Sequence, residues 1–392
     1  MQVFQFLVAK YADSFFSYFL KWQFLFSGSK KRFDSNNDWG CLMRKRSLGV
    51  VLLTTLLFLV SGCAILKTNN AFGSEGLYVA GWLWRSAGLV TFYNAQYVKV
   101  FREINPVWYE TTATASNGPV IVGSTNQSLV DWARYCGVKL IPTIQKLTRN
   151  SRNQSSATSI LDDTNRARHI AAIVALVVNN KFDGIDIDYE NEGLTAVDKQ
   201  KFTIFIQELG QALQAQNKLL SVCVYSPHSG IDWQDWPALL PYVDSLKVMV
   251  YNADITANPA PGPISPLSVL RKTMDYVAGL SAREKIIIGL PFYGRDWKKA
   301  TNGSYSKKTV YYTDMVVQNG IANYTVLRND GEPYFQYQDS AARDHTVYFQ
   351  DAEAIRERLK VIAQYRGAVK GVTFWDLGCE DPRAWDEIFK YR

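Results

Sequence analysis

From Gly76 to the C-terminus, short apolar runs alternate with longer segments in which apolar residues recur every three or four positions. The short runs are 76–82, 104–109, 138–144, 182–190, 219–226, 245–251, 285–291 and 371–377. They are rich in Val, Ile and Leu, as strands covered on both faces should be. Between them, 163–179, 195–216, 266–280 and 351–366 carry the helical period, and in the last Ala354, Leu359, Ile362 and Ala363 fall on one inward face. Eight strands with helices between them predict an α/β fold, a (β/α)8 TIM barrel. An open, doubly wound nucleotide-binding sheet would call for a GxGxxG turn after the first strand, which the chain lacks. One interval, about 296–350 between strand 7 and helix 7, breaks the rhythm. It is rich in Tyr and Lys, has candidate strands at 334–338 and 345–349, and predicts an inserted hairpin or small subdomain.

The fourth run carries the most chemistry. Residues 183–190 read DGIDIDYE, and in a strand alternate residues share a face. Asp186, Asp188 and Glu190 therefore point one way, while Ile185, Ile187 and Tyr189 point the other. In a barrel these carboxylates climb the interior towards the C-terminal mouth, where barrel active sites lie. Three acids so close raise one another's pKa, so the set retains a proton near neutral pH, which suits a general acid. The alternative, a calcium site, fits less well, because calcium loops mix carboxylates with Asn, Gly and carbonyls in a turn.

At this point the chain resembles glycoside hydrolase family 18, whose DxxDxDxE signature is matched by Asp183, Asp186, Asp188 and Glu190. Met249-Val-Tyr251-Asn252 after the sixth strand resembles the family's M-x-Y-D/N element. The segment from Gly289 through Tyr293 to Arg295 resembles its G-[LV]-P-x-Y-G-R, and 371–378, with Trp375, its last strand. The resemblance, closest to the bacterial spore-cortex and germination glycosidases, implies a retaining hydrolase of N-acetylglucosamine-containing polysaccharide, of chitinase or N-acetylglucosaminidase type. Glu190 would protonate the leaving oxygen while the substrate's own 2-acetamido group attacks, the family being an exception to the two-carboxylate scheme. Asp188 would orient the acetamido N–H and share a proton with Asp186, and Tyr251 would hydrogen-bond the acetamido carbonyl. Trp375 would floor the cleaved sugar. Asn252, Tyr293, Arg295, Met249 and Trp82 are further candidates for substrate contact, with Trp84, Trp108 and Trp297 as other stacking platforms. Asp183 is expected to be structural.

No metal or cofactor is implied. Where chitinases of this family carry S-x-G-G on strand three, this chain has LIPTIQ at 140–145, which leaves the polymer open between chitin and peptidoglycan. The insertion is shorter than that of processive chitinases, so a deep tunnel is not expected. A non-catalytic lectin on the same barrel is the alternative, and retention of Glu190, Asp188 and Tyr251 argues against it.

Composition adds location rather than chemistry. The 392 residues are 47% hydrophobic and 20% charged, a balance that argues against disorder, and the net charge of +7 raises the question of a nucleic-acid partner. Residues 1–62, however, hold eight Lys/Arg and three Asp, so most of that charge lies there and no basic stripe is left for nucleic acid. Residues 43–62 read as a secretory signal: Arg44, Lys45 and Arg46, an apolar run from Leu48 to Val60, then Ser61 and Gly62. Ending before Cys63, this resembles a bacterial lipoprotein signal, which implies a lipid on Cys63, a tether at 63–75, and a monomeric catalytic barrel at 76–392 outside the cytoplasm. An uncleaved membrane anchor is the other reading. Residues 1–42 read as an extension ahead of the true start. Cys136, Cys223 and Cys379 leave room for one disulfide, but their wide spacing and odd number argue against a disulfide scaffold.

Overall fold

The computed structural model describes residues 76–392 except 115–117, 149–162, 191–197, 231–232, 253–259, 319–320 and 366. The expectations for residues 1–75, including the lipid on Cys63, lie outside the described residues. Eight parallel strands form the barrel: β1 (Tyr78–Leu83), β2 (Glu103–Thr114), β3 (Thr143–Thr148), β4 (Gly184–Asp188), β5 (Leu219–Tyr225), β6 (Ser245–Met249), β7 (Ile286–Pro291) and β8 (Gly371–Trp375). Each pairs with its neighbours in sequence, β8 pairs with β1, and Trp82 and Leu83 pair with Asn105 and Pro106 of β2, which closes the ring. Outside lie α1 (Ser86–Tyr93), α2 (Gln127–Cys136), α3 (Asp163–Asn179), α4 (Lys199–Gln214), the single turn α5 (Trp236–Leu239), α6 (Leu267–Ala278), α7 (Ala352–Gln364) and α8 (Ala384–Phe389). The chain is thus the (β/α)8 barrel that its periodicity predicts.

Strand parity divides the side chains. Ile185, Ile187, Val222, Val248, Ile288 and Phe374 lie in the core between strands and helices, each fully buried. The other face is polar: Trp82 of β1 reaches Asp186 of β4, and Lys247 of β6 reaches Glu103 of β2. Side chains from strands that are not neighbours can meet only inside the ring. Gly184 permits the β4–β5 approach, since a Cβ there would collide with the Leu219 carbonyl. The helices are capped by sequence: Asn126 accepts from Leu129 N at the start of α2, Gly137 ends it at φ 68°, and Asp351 accepts from Ala354 N ahead of α7. Among the described residues no helix is long and apolar enough to cross a membrane. Cys136, Cys223 and Cys379 are free thiols.

The interval after β7 is larger than a hairpin. It folds into an antiparallel five-stranded sheet in the order Tyr305–Tyr311, Tyr293–Lys299, Asp344–Tyr348, Glu332–Gln338, Leu327–Asn329. Val310, Met315, Phe335, Val347 and Phe349 give it a small core of its own. It is fastened by Arg358 of α7, fully buried, which pairs with the fully buried Glu332 at 2.9 Å and donates to the Ala354 carbonyl at 2.8 Å. Glu332 also accepts from Ile264 N at 2.8 Å and Ser265 N at 2.6 Å. Removing one partner of such a pair leaves an uncompensated buried charge. Arg358→Met is therefore expected to lower stability by about 3–5 kcal/mol, read as a fall in the urea midpoint. An unchanged midpoint would show that the pair does not hold the insertion in place.

Candidate active site

Asp186 lies on the inner face of β4 with no exposed surface, and every partner donates to it. Its Oδ2 accepts from Trp82 Nε1 and Thr143 Oγ1, both at 2.9 Å, with Cys223 Sγ at 3.6 Å. Its Oδ1 accepts from Lys247 Nζ at 3.0 Å and from Ser221 Oγ. Lys247 is itself fully buried and pairs at 2.8 Å with Glu103 Oε1. Glu103 also accepts from Asn105 Nδ2 and Tyr78 OH, each at 2.8 Å. Burial opposes the Glu103 charge, but the ammonium and these donors hold its pKa down to about 2. Burial likewise opposes the Lys247 charge, and Asp186 with Glu103 overcomes it and raises the pKa.

Two residues towards the mouth, Asp188 is buried but much less well served. Gln145 Nε2 donates to its Oδ2 at 3.1 Å, while Oδ1 has no hydrogen-bond partner among the described residues. Burial, then the like charges of Glu190 and Asp186, push its pKa well up. No hydrogen bond joins it to Asp186, whose oxygens accept from Trp82, Thr143, Lys247 and Ser221. Glu190 follows at the strand end with its side chain exposed. Along one strand face the carboxyls thus run from saturated, through buried and under-paired, to open.

The aromatic candidates gather above this line. Trp82, Cys223 and Met249 form a buried cluster against which Tyr251 and Trp375 pack half-buried. Trp375 meets Trp82 edge-on at 5.8 Å between ring centroids and Trp84 at 5.9 Å. Tyr251 crosses Tyr293 edge-on at 6.1 Å, and burial, then Tyr293 and the two carboxylates Asp188 and Glu190, raise its pKa. Asn252 turns the chain at φ 57°, a left-handed conformation that Asn tolerates, and its Oδ1 accepts from Tyr293 OH and from Arg295 Nη2 at 3.2 Å.

Several expectations change in detail. Trp82, expected to contact substrate, is 1% exposed and donates its indole N–H to Asp186. Met249 and Tyr293 are also buried, behind Tyr251, and Trp297 is fully buried in the insertion. The exposed ring at the mouth is Trp84, 46% accessible. Asp183 stays at the opposite end of β4, where it accepts from Leu140 N at 2.8 Å, a structural contact. Sequence reasoning missed Lys247, Glu103, Thr143 and Gln145. Lys247 shares strand parity with Met249 and Tyr251, and that parity was the available signal.

Residues 127–381 match the model of the family described as Glycosyl hydrolases family 18. The chain is 25% identical over 281 residues to "Putative sporulation-specific glycosylase YdhD" of Bacillus subtilis (strain 168), covering 67% of this chain and 63% of that protein. It is 24% identical over 258 residues to the "Cortical fragment-lytic enzyme" of the same organism, covering 62% of this chain and 58% of that one. The chain therefore spans about three fifths of the length of these two curated relatives. Among solved structures, a chitinase from Chromobacterium violaceum ATCC 12472 shares the fold, with a TM-score of 0.68 at 22% identity over 80% of this chain and 98% of the other.

The raised pKa of Asp188 has a consequence for stability. A carboxyl raised by folding contributes its full stability below the ordinary carboxylate range and loses it as pH climbs through the raised value. Asp188→Asn removes that ionisation. The variant is expected to melt at a higher temperature than wild type at neutral pH, with the gain vanishing as pH falls towards about 4. Calorimetry across that range checks it, and equal melting temperatures at neutral pH would contradict it.

Proposed function

The chain belongs to glycosyl hydrolases family 18, and from that premise we propose that it is a retaining hydrolase of N-acetylglucosamine-containing polysaccharide, using substrate-assisted catalysis. The observation that carries this reading is the graded carboxylate line of β4. It presents a buried, proton-holding Asp188 beside an exposed Glu190, under Tyr251 and Trp375. An acid with open access can reach a glycosidic oxygen, and a neighbour that keeps its proton can orient the acetamido group without adding a second negative charge.

In the proposed cycle Glu190 protonates the leaving oxygen as the 2-acetamido carbonyl attacks the anomeric carbon. Asp188 accepts the acetamido N–H, Tyr251 donates to the carbonyl, and Trp375 stacks under the sugar. Glu190 then takes the proton of the water that opens the oxazolinium, so configuration at the anomeric carbon is retained. Peptidoglycan is the favoured polymer, supported by relatives named for sporulation and cortical fragments; chitin oligosaccharides share the same recognition unit. The proposed site of action lies outside the cytoplasm, with the protein held at a bacterial membrane by a lipid on Cys63.

The test is hydrolysis of chitotetraose and of purified peptidoglycan by the protein and by Glu190→Gln. Wild type is expected to release β-configured products, and the variant to be slower by about 10²–10⁴-fold. Binding of both substrates by both proteins, with cleavage of neither, would establish the lectin in place of the hydrolase.

A further inference from the structure

Residues 76–392 hold 34 Lys/Arg against 32 Asp/Glu, close to neutral overall. No stripe of cations runs along the sequence, yet the fold gathers on one face the loops that lead from helix ends into strand starts. This face lies opposite the mouth. Lys99 and Arg102 precede β2, Arg134 and Lys139 precede β3, and Lys181 precedes β4, all five exposed. Further round the ring, Lys218 precedes β5, Arg283 and Lys285 precede β7, and Lys370 precedes β8. Against these, the described acids of the same loops are Asp183, Asp244 and Glu284. We propose that this basic face docks on an anionic membrane surface, holding the barrel with its catalytic mouth turned away from the lipid. The inference rests on the reading that the protein works at a bacterial membrane, outside the cytoplasm.

The two signs of charge are used differently here. Asp183 accepts from Leu140 N at 2.8 Å and Asp244 from Leu220 N at 2.9 Å, so each acid serves a strand start. The cations instead crowd one another. Lys139 and Lys370 share the Tyr78 ring, at 5.8 and 4.7 Å from its centroid. Burial, then Arg102 nearby, lowers the Arg392 pKa, and Arg392 Nη2 donates to the Lys99 carbonyl at 3.1 Å. Lys218 and Lys285 donate to the carbonyls of Phe182 and Leu240 at 2.7 and 2.9 Å, contacts that fix a charge without neutralising it. Arg134, Lys139 and Lys181, with Asp183, line a cavity of about 250 Å³, with room for a phosphodiester group.

Aromatic rings frame the same end. Tyr93, Tyr135 and Tyr276 lie in the last turns of α1, α2 and α6 and are 39%, 82% and 40% exposed. Tyr135 stacks on Trp132 at 5.6 Å between centroids, and Trp132 meets Tyr93 edge-on at 5.6 Å. Rings with an apolar body and a polar tip suit the headgroup layer of a bilayer.

The course of the chain favours a membrane over other polyanions. The described chain starts on this end of the barrel, where Leu77 N–H donates to the Tyr391 carbonyl at 2.7 Å. Ahead of it stand the apolar run Leu48 to Val60 and Cys63. The thirteen residues 63–75 span at most about 45 Å, so an anchor there keeps this face, rather than the mouth, within reach of the lipid. One lipid chain alone binds reversibly, and a polybasic surface supplies the second attachment. Asp183 at this face and Glu190 at the mouth are seven residues apart along one strand, roughly 23 Å. Docking therefore leaves the acid open towards the polymer.

Amine footprinting of the full chain, read by mass spectrometry, views the face directly. Phosphatidylcholine vesicles with about 30% phosphatidylglycerol supply the anionic surface, and pure phosphatidylcholine is the control. On the anionic vesicles, acylation of Lys99, Lys139 and Lys181 is expected to fall at least about threefold, and about 0.5 M salt to restore it. Lys299 and Lys308, exposed on the insertion at the mouth end, are expected to stay within about twofold. Arg134→Gln/Lys139→Gln is expected to weaken the protection of Lys99 and Lys181 by at least about twofold at an unchanged melting temperature. Equal labelling on both vesicles, protection of Lys299 and Lys308 instead, or full protection in the folded variant would each overturn the proposal. The wild-type comparison decides even if the variant does not fold. Protection by a single-stranded oligonucleotide, with none on anionic vesicles, would assign the face to nucleic acid instead. Flotation with pure phosphatidylcholine reports the N-terminal anchor separately: its absence, with protection on anionic vesicles intact, would uphold the face and count against the anchor alone.

Discussion

The ammonium of Lys247 sits between two carboxylates inside the ring, and the polar interior of this barrel is tolerable because of it. A lone carboxylate taken out of water costs several kcal/mol, and two facing each other cost more. With Lys247 between Glu103 and Asp186 each charge has a counter-charge, and neutral donors fill the remaining lone pairs. Those groups come from six strands, β1 through β6, so the network spans much of the ring's cross-section. It also fixes register. A one-residue slip in any of these strands would send its polar side chain out among the helices and bring an aliphatic one in. The placement of Asp188 two residues above Asp186 follows from the same constraint.

What distinguishes the three acids of β4 is supply of donors rather than residue type. Asp186 has more donors than it needs, Asp188 has one side-chain amide and a thiol, and Glu190 reaches solvent. Depth in the barrel sets that order, because each step of two residues moves a side chain nearer the mouth. One strand therefore supplies a carboxyl saturated with donors, a buried carboxyl whose pKa is raised, and an exposed one. The aromatic layer of Trp82, Tyr251 and Trp375 marks the boundary between the saturated interior and the open cleft.

The barrel was readable because strands buried on both faces leave short aliphatic runs, and the helices between them keep their period. The segments 163–179 and 371–377 coincide with or nearly match α3 and β8. The carboxylates of β4 were readable because their spacing is local. Lys247 and Glu103 were not paired from sequence, since 144 residues separate them and nothing local says that a lysine in an aliphatic run has found an acid. Parity alone put both on the inward face. Trp82 was placed with the substrate because a tryptophan at a barrel mouth suits stacking, and its hydrogen bond to a deep carboxylate 104 residues away was not legible locally. The first hairpin of the insertion was overlooked because its lysines mask the alternation, although Asn302-Gly303 between Tyr293–Lys299 and Tyr305–Tyr311 is a turn signal.

The insertion is held to the barrel at both ends. Phe292, the residue between β7 and the inserted sheet, stacks on Phe374 at 4.4 Å and donates its N–H to the Trp375 carbonyl at 2.7 Å. Tyr293 and Arg295, next along, reach Asn252 beside Tyr251. The opposite edge, Leu327–Asn329, is exposed along its whole length. Arg328 on that edge pairs with Asp351 and Glu353 at 2.6 and 2.7 Å, so this side is tied to the barrel through α7 while its surface faces solvent. The architecture thus separates two rates of evolutionary change within one insertion, a slow one at the root, where Tyr293 and Arg295 are tied to Asn252, and a faster one on the solvent-facing side chains of its outer edge.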